Sequence, residues 1–325
     1  MQSTATPELT AAGRVDGSRL GFMTDAAVDF FREQGYLIVE NALSSDEVDQ
    51  LRQDTTDICR GKYGNYRGWQ GPHDGQSDRD VLRQYLCIHF PHKFSPIMRQ
   101  NLEQPAMLEV LTSVIGPDVK CMQSMLFIKS AGKPGQAWHQ DEDYIPTRDR
   151  SLTGGWIAVD DATVDNGCLW ILPGSHRAGV LYPQARQSDR RFDCAQESTR
   201  FPYDDQDAVP VEVKAGSIVF FNGYLLHRSL PNQAAAGTFR RVLVNHYMSA
   251  SSLLPWTDNL QDHDCFVDES RTVAKADCRD IVMVAGRDPY AWMGLTDRNR
   301  PHVRPSGEGG CAKSGRPGAA DGGKG

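Results

Sequence analysis

The sequence has no CxxC pair and no long apolar run. Its eight cysteines (Cys59, Cys87, Cys121, Cys168, Cys194, Cys265, Cys278 and Cys311) are scattered. Neither a zinc knuckle nor a disulfide framework is indicated, and reduced thiols are expected. Without an apolar stretch of membrane-spanning length, no transmembrane helix is expected. The opening MQSTATPELTAAGRVDGSRLG lacks the apolar segment of a secretory signal. Excess positive charge is missing too. The formal net charge of −7 argues against nucleic acid or an anionic membrane as main partner. No internal repeat is present. A cytoplasmic protein, monomer or homodimer, acting on a small molecule is the resulting expectation. What the chain does have is apolar material, 39% of its residues, enough for a sizeable core.

Residues 1–22 are small, polar and aperiodic, and 306–325 are Gly-rich; both read as disordered. Between them, residues 23–305 read as one domain. A helix is predicted from Thr24 to Glu33, capped by Thr24 and stopped by Gly35, with a strand Tyr36–Val39 after it. A second helix opens at Ser44 or Ser45 with Glu47 completing a capping box, and a third spans Pro105–Ile115. The polar loop 62–80 is long enough to be a lid, with Tyr63, Tyr66, Trp69 and His73 as its closing residues. After Asp118 short apolar runs recur between turn residues: Cys121–Lys129, Gly155–Val159, Gly167–Leu172, Val211–Val213, Ile218–Asn222 and Arg241–Tyr247. Helices first and many short strands later predict a mainly β fold, a jelly roll carrying a helical N-terminal layer.

Within Trp138-His-Gln-Asp141, strand alternation puts His139 and Asp141 on one face and sends Gln140 to the other side or along the site. One imidazole, one carboxylate and a second imidazole from a distant strand make the 2-His-1-carboxylate set of non-haem iron centres, which leaves coordination positions open. His227, just after the strand-like Ile218–Asn222, is the candidate third ligand. His89 and His92 have no suitably placed carboxylate, His176 sits in a turn-like Pro-Gly-Ser-His, and His73, His246, His263 and His302 have no constellation around them.

Trp138–Asp141, Gly155–Thr163, Asn166–His176, His227-Arg-Ser229 and Phe239-Arg-Arg241, in that order, resemble the phytanoyl-CoA dioxygenase family. The resemblance runs over residues 24–255 and is densest from 123 to 176. It implies a double-stranded β-helix (cupin-like jelly roll), Fe(II), O2 and 2-oxoglutarate as co-substrate. It places His139, Asp141 and His227 on the metal. Arg240 falls on the position that holds the distal carboxylate of 2-oxoglutarate, with Ser229 beside it, and Gln140 and Trp156 match further co-substrate contacts. Because the His227–Phe239 segment is longer than the family spacing, Arg241 is the alternative to Arg240. Arg83 is the nearest match to an upstream cation.

The implied activity is hydroxylation coupled to decarboxylation of 2-oxoglutarate to succinate, with desaturation or ring closure as alternative outcomes. Asp141 speaks against halogenation, which needs that ligand position for halide. A catalytically silent jelly-roll binding protein should have lost a ligand or the Arg, and a Lewis-acid hydrolase or isomerase leaves Arg240 and Ser229 without a role. The charges that follow the triplet, Glu142, Asp143, Arg148 and Arg150, together with Tyr144, point to a polar substrate such as a sugar, an amino acid or a natural-product intermediate. No basic cluster suited to a CoA phosphate is evident.

Overall fold

The computed structural model describes residues 8–147, 149–253 and 279–304. Among them are helices α1 (Asp25–Gln34), α2 (Ser45–Cys59), α3 (Asp78–Leu82), α4 (Pro96–Gln100), α5 (Pro105–Val114) and α6 (Asp141–Tyr144). The strands are β1 (Arg14–Asp16), β2 (Tyr36–Glu40), β3 (Cys87–His89), β4 (Val119–Ser130), β5 (Gln136–His139), β6 (Thr153–Ala158), β7 (Leu169–Ile171), β8 (Gln184–Arg186), β9 (Gln196–Ser198), β10 (Val209–Val211), β11 (Ile218–Asn222), β12 (His227–Ser229), β13 (Phe239–Ser249), β14 (Val282–Ala285) and β15 (His302–Val303).

The helix boundaries follow from local chemistry. The Thr24 side chain accepts from the Ala27 N–H, and Gly35 closes α1 at φ 80°, where a side chain would be strained. Ser44 and Glu47 form the reciprocal capping box that opens α2.

The major sheet has the order β1-β2-β11-β6-β13-β4-β3-β15, with β14 also paired to β4. Facing it is a four-stranded sheet, β10-β7-β12-β5, whose pairs are all antiparallel. This is the expected jelly-roll core.

Alternation along the strands of the major sheet divides the core in two. Leu37, Val39, Leu126, Ile128, Ile157, Ile218, Phe220, Leu243 and Tyr247 pack with the helices on the outer face. Their neighbours Tyr36, Ile38, Met125, Phe127, Trp156, Ala158, Val219, Phe221, Val242 and Val244 fill the space between the sheets. Both faces are covered, so these strands read as continuous apolar runs. The inter-sheet face carries the site.

The expectation of order beginning at residue 23 is corrected. β1 pairs in parallel with β2, Val15 lying opposite Val39, and Val15 and Phe22 are buried. Those two apolar residues anchor a segment whose average composition is polar. Residues 1–7, Arg148, His263, Cys265, Cys278, Cys311 and the tail 306–325 lie outside the described residues. Cys59, Cys121, Cys168 and Cys194 are buried thiols. No described helix is long and apolar enough to cross a membrane.

The 62–80 loop does not close over the site. Tyr63 donates to Asp54, Tyr66 to the Ile58 carbonyl and Trp69 to the Cys59 carbonyl, while His73 is buried against Tyr85. The aromatic residues expected to form a lid instead fasten the loop to α2 and its surroundings.

Candidate active site

His139 ends β5 and His227 begins β12, and the two are direct partners across that antiparallel pair. Their rings lie 4.1 Å apart. Asp141 follows two residues after His139, at the first position of α6. One ligand atom from each of His139, Asp141 and His227 can be chosen so that all lie within 4.8 Å of one another. The His139 and His227 Nδ1 atoms face the carbonyls of Ala137 and Leu225 at 2.8 and 2.9 Å. With Nδ1–H donating there, each Nε2 keeps its lone pair and is aimed by the backbone.

Electrostatics suit a cation. Burial and the neighbouring His227 push His139 down to about 4, so it is a neutral donor near neutral pH. Burial would raise the Asp141 carboxyl, but the imidazoles of His227, His246 and His139 outweigh it and hold the group well below the usual carboxylate range. Two imidazoles and one carboxylate are the donor set that Fe(II) takes in facial-triad sites.

The cavity around this cluster is lined by Met125, Phe127, Trp156, Leu169, Phe221 and Val244, with polar groups at Gln123, Tyr144, Ser229, Arg240 and His246. Alternation along β13 explains two of them. Val242 and Val244 face the inter-sheet space, so Arg240 and His246 share their face at opposite ends of the row. Arg241 faces away and forms a two-pronged ion pair with Asp160 at 2.8 Å. Between the two candidate arginines, Arg240 is therefore the one in the cavity.

Arg240 is buried, with its guanidinium 5.6 Å from the Trp156 ring centroid. Its Nε has no hydrogen-bond partner, and burial pushes its pKa down to about 10. Directly opposite on β4 stands Lys129, whose Nζ donates to Ser229 Oγ at 2.9 Å and to the Leu230 carbonyl at 2.7 Å. Burial and the Arg240 charge push Lys129 well below its ordinary value. Like charges placed opposite each other in a sheet destabilise it. No described carboxylate forms an ion pair with either side chain.

Two of the residues expected to contact the co-substrate do not line the cavity. Gln140 turns from the cavity: its amide donates to the Val180 and Tyr224 carbonyls and accepts from Tyr182 N–H. Strand alternation sends it to the face opposite His139, where it pins two loops. Arg83 is exposed at the end of α3 and does not line the cavity. The basic residue directly opposite Arg240 is Lys129. Of the residues after the triplet, Tyr144 and Ile145 reach the cavity. Glu142 instead accepts from Thr147 N–H and Oγ1, and Arg150 lies over the Tyr224 ring.

His246 and Lys129 are the residues that sequence reasoning missed. The period-two step from Arg240 through Val242 and Val244 to His246, and from Met125 through Phe127 to Lys129, was the available signal.

β5 and β12 approach so closely that Gly135 has no room for a side chain. A Cβ there would lie 1.9 Å from the Ser229 carbonyl oxygen. Gly135→Ala is expected to destabilise the fold by about 1–3 kcal/mol, seen as a lower urea midpoint at unchanged slope.

A family model for phytanoyl-CoA dioxygenase (PhyH) matches residues 31–242. Phytanoyl-CoA dioxygenase domain-containing protein 1 of Danio rerio is 28% identical over 268 residues, covering 71% of this chain and 91% of that protein. Among solved structures, EvdO2 from Micromonospora carbonacea var. aurantiaca, complexed with 2-oxoglutarate, is 25% identical with a TM-score of 0.54, covering 73% of this chain and 94% of that one. The non-heme alpha ketoglutarate dependent carbocyclase SnoK from nogalamycin biosynthesis is 22% identical with a TM-score of 0.57, covering 81% of this chain and 97% of that one, a likeness of fold. With the matched segment running through β2, the His-Asp-His cluster and the Arg240 strand, the chain belongs to the phytanoyl-CoA dioxygenase family of non-haem oxygenases.

Proposed function

We propose that the protein uses Fe(II), 2-oxoglutarate and O2 to hydroxylate a small polar metabolite. The observation that carries this reading is the pairing, in one cavity, of a His-Asp-His cluster with the buried Arg240, which has no described carboxylate partner and is backed by Lys129 directly opposite it on β4. The relationship to EvdO2, solved with 2-oxoglutarate, supports it.

In this reading His139 Nε2, Asp141 and His227 Nε2 hold the iron. When bound, the metal supplies the redox chemistry by which substrate, 2-oxoglutarate and O2 become hydroxylated product, succinate and CO2. The protein's part is placement and exclusion of water. Arg240 receives the distal carboxylate of 2-oxoglutarate through its planar fork. Ser229 adds a hydrogen bond, and Lys129, bonded to Ser229 Oγ, fixes that hydroxyl. Trp156, Phe221 and Val244 dry the space between Arg240 and the cluster, which strengthens the charge pairing. Gln123 and Tyr144, on the cavity wall, supply hydrogen bonds for a substrate bearing polar groups.

A metabolite screen that follows succinate release tests the reading. A polar compound should raise succinate formation above the uncoupled background and leave as a product heavier by one oxygen. A product lighter by two hydrogens would assign desaturation or ring closure on the same residues. No succinate under any condition, from iron-loaded protein, would contradict the oxygenase reading.

A further inference from the structure

The two oxygens of Asp141 face different neighbours. Oδ1 lies 3.7 Å from His139 Nε2 and 3.6 Å from His227 Nε2, inside the candidate metal cluster. Oδ2 lies 3.1 Å from Nε2 of His246, with no other hydrogen bond to this carboxylate among the described residues. His246 is buried in the middle of β13. It pairs with Gln123 of β4 on one side and Gly154 of β6 on the other, so its backbone is held from both flanks.

We propose that His246 is a positioning residue: it donates Nε2–H to Oδ2 of Asp141 and so presents Oδ1 alone to the metal. The proposal rests on the metal reading above. Each imidazole ligand already has its own anchor, the carbonyl of Ala137 or of Leu225. Asp141, at the start of the short helix α6, has no such backbone anchor, and His246 fills that part. A carboxylate held by one oxygen cannot swing to grip the metal with both, so coordination positions stay open for small molecules. Ligand-orienting groups of this kind commonly change metal affinity by about 10–100-fold when removed.

The test uses the full chain and three variants, His246→Ala, His246→Asn and His246→Gln, titrated anaerobically with Fe(II) by calorimetry, without co-substrate or turnover. A Gln amide nitrogen reaches the place of imidazole Nε2, whereas an Asn amide falls short of it. His246→Ala and His246→Asn should bind Fe(II) about 10–100-fold more weakly than the parent, and His246→Gln should recover most of that loss. If the Ala variant does not fold, the Asn and Gln pair decides. Parent-like affinity in Ala and Asn, or a Gln variant as weak as Asn, would overturn the proposal. A parent chain that binds no Fe(II) would remove the metal reading itself, a separate outcome.

Discussion

Asp141→Ala is expected to lower Fe(II) affinity by more than about 100-fold. Loss of a group that only orients a ligand already costs about 10–100-fold, and this substitution removes the ligand. It also removes the only carboxylate on the cavity wall among the described residues, leaving imidazoles alone to face a dication. Circular dichroism should show a folded chain, because His139 and His227 keep their backbone anchors. Anaerobic calorimetry reads the affinity, and a parent-like value would move the metal elsewhere.

Arg240→Ala should leave Fe(II) binding intact while weakening 2-oxoglutarate binding by roughly 2–5 kcal/mol, the usual effect of truncating one partner of a buried charge pair. That is about 30-fold to several thousand-fold in Kd. The matched control is Arg241→Ala. Its guanidinium is engaged with Asp160 on the opposite face, so 2-oxoglutarate affinity should not change. Equal losses in the two variants would point to disturbance of β13 rather than to a lost contact. Equilibrium titration of iron-loaded protein with 2-oxoglutarate separates these results.

Some of the site was legible in the chain because the deciding physics is local. His139 and Asp141 share a face by strand alternation, and Thr24, Gly35, Ser44 and Glu47 announce their helix ends. His227 is different in kind. Its pairing with His139 is a long-range register between β5 and β12, which its place just after the strand-like Ile218–Asn222 suggested and resemblance to a family supported. Arg240 and Arg241 were adjacent candidates, since alternation separates them only once the phase of the strand is known. Val242 and Val244 in the inter-sheet core set that phase, and the same phase exposes His246.

Lys129 was hidden for a related reason. In a strand buried on both faces, one lysine at the end of an apolar run resembles a strand terminus, until its cross-strand partner is seen to be Arg240. The misplaced cavity residues share one cause: a residue type was assigned to the cavity before its other partners were known. Gln140 satisfies two carbonyls and an N–H in nearby loops. Tyr63, Tyr66 and Trp69 are tied to α2. Residues 8–22 were set aside on composition, although Val15 and Phe22 suffice to dock them.

The measurement that bears most directly on the account is an anaerobic titration of iron-loaded protein with 2-oxoglutarate, followed by visible absorption. A metal-to-ligand charge-transfer band should grow to saturation, be absent in Asp141→Ala, and need far more 2-oxoglutarate in Arg240→Ala. No band in the parent chain, or a band of the same strength and midpoint in Asp141→Ala, would contradict it.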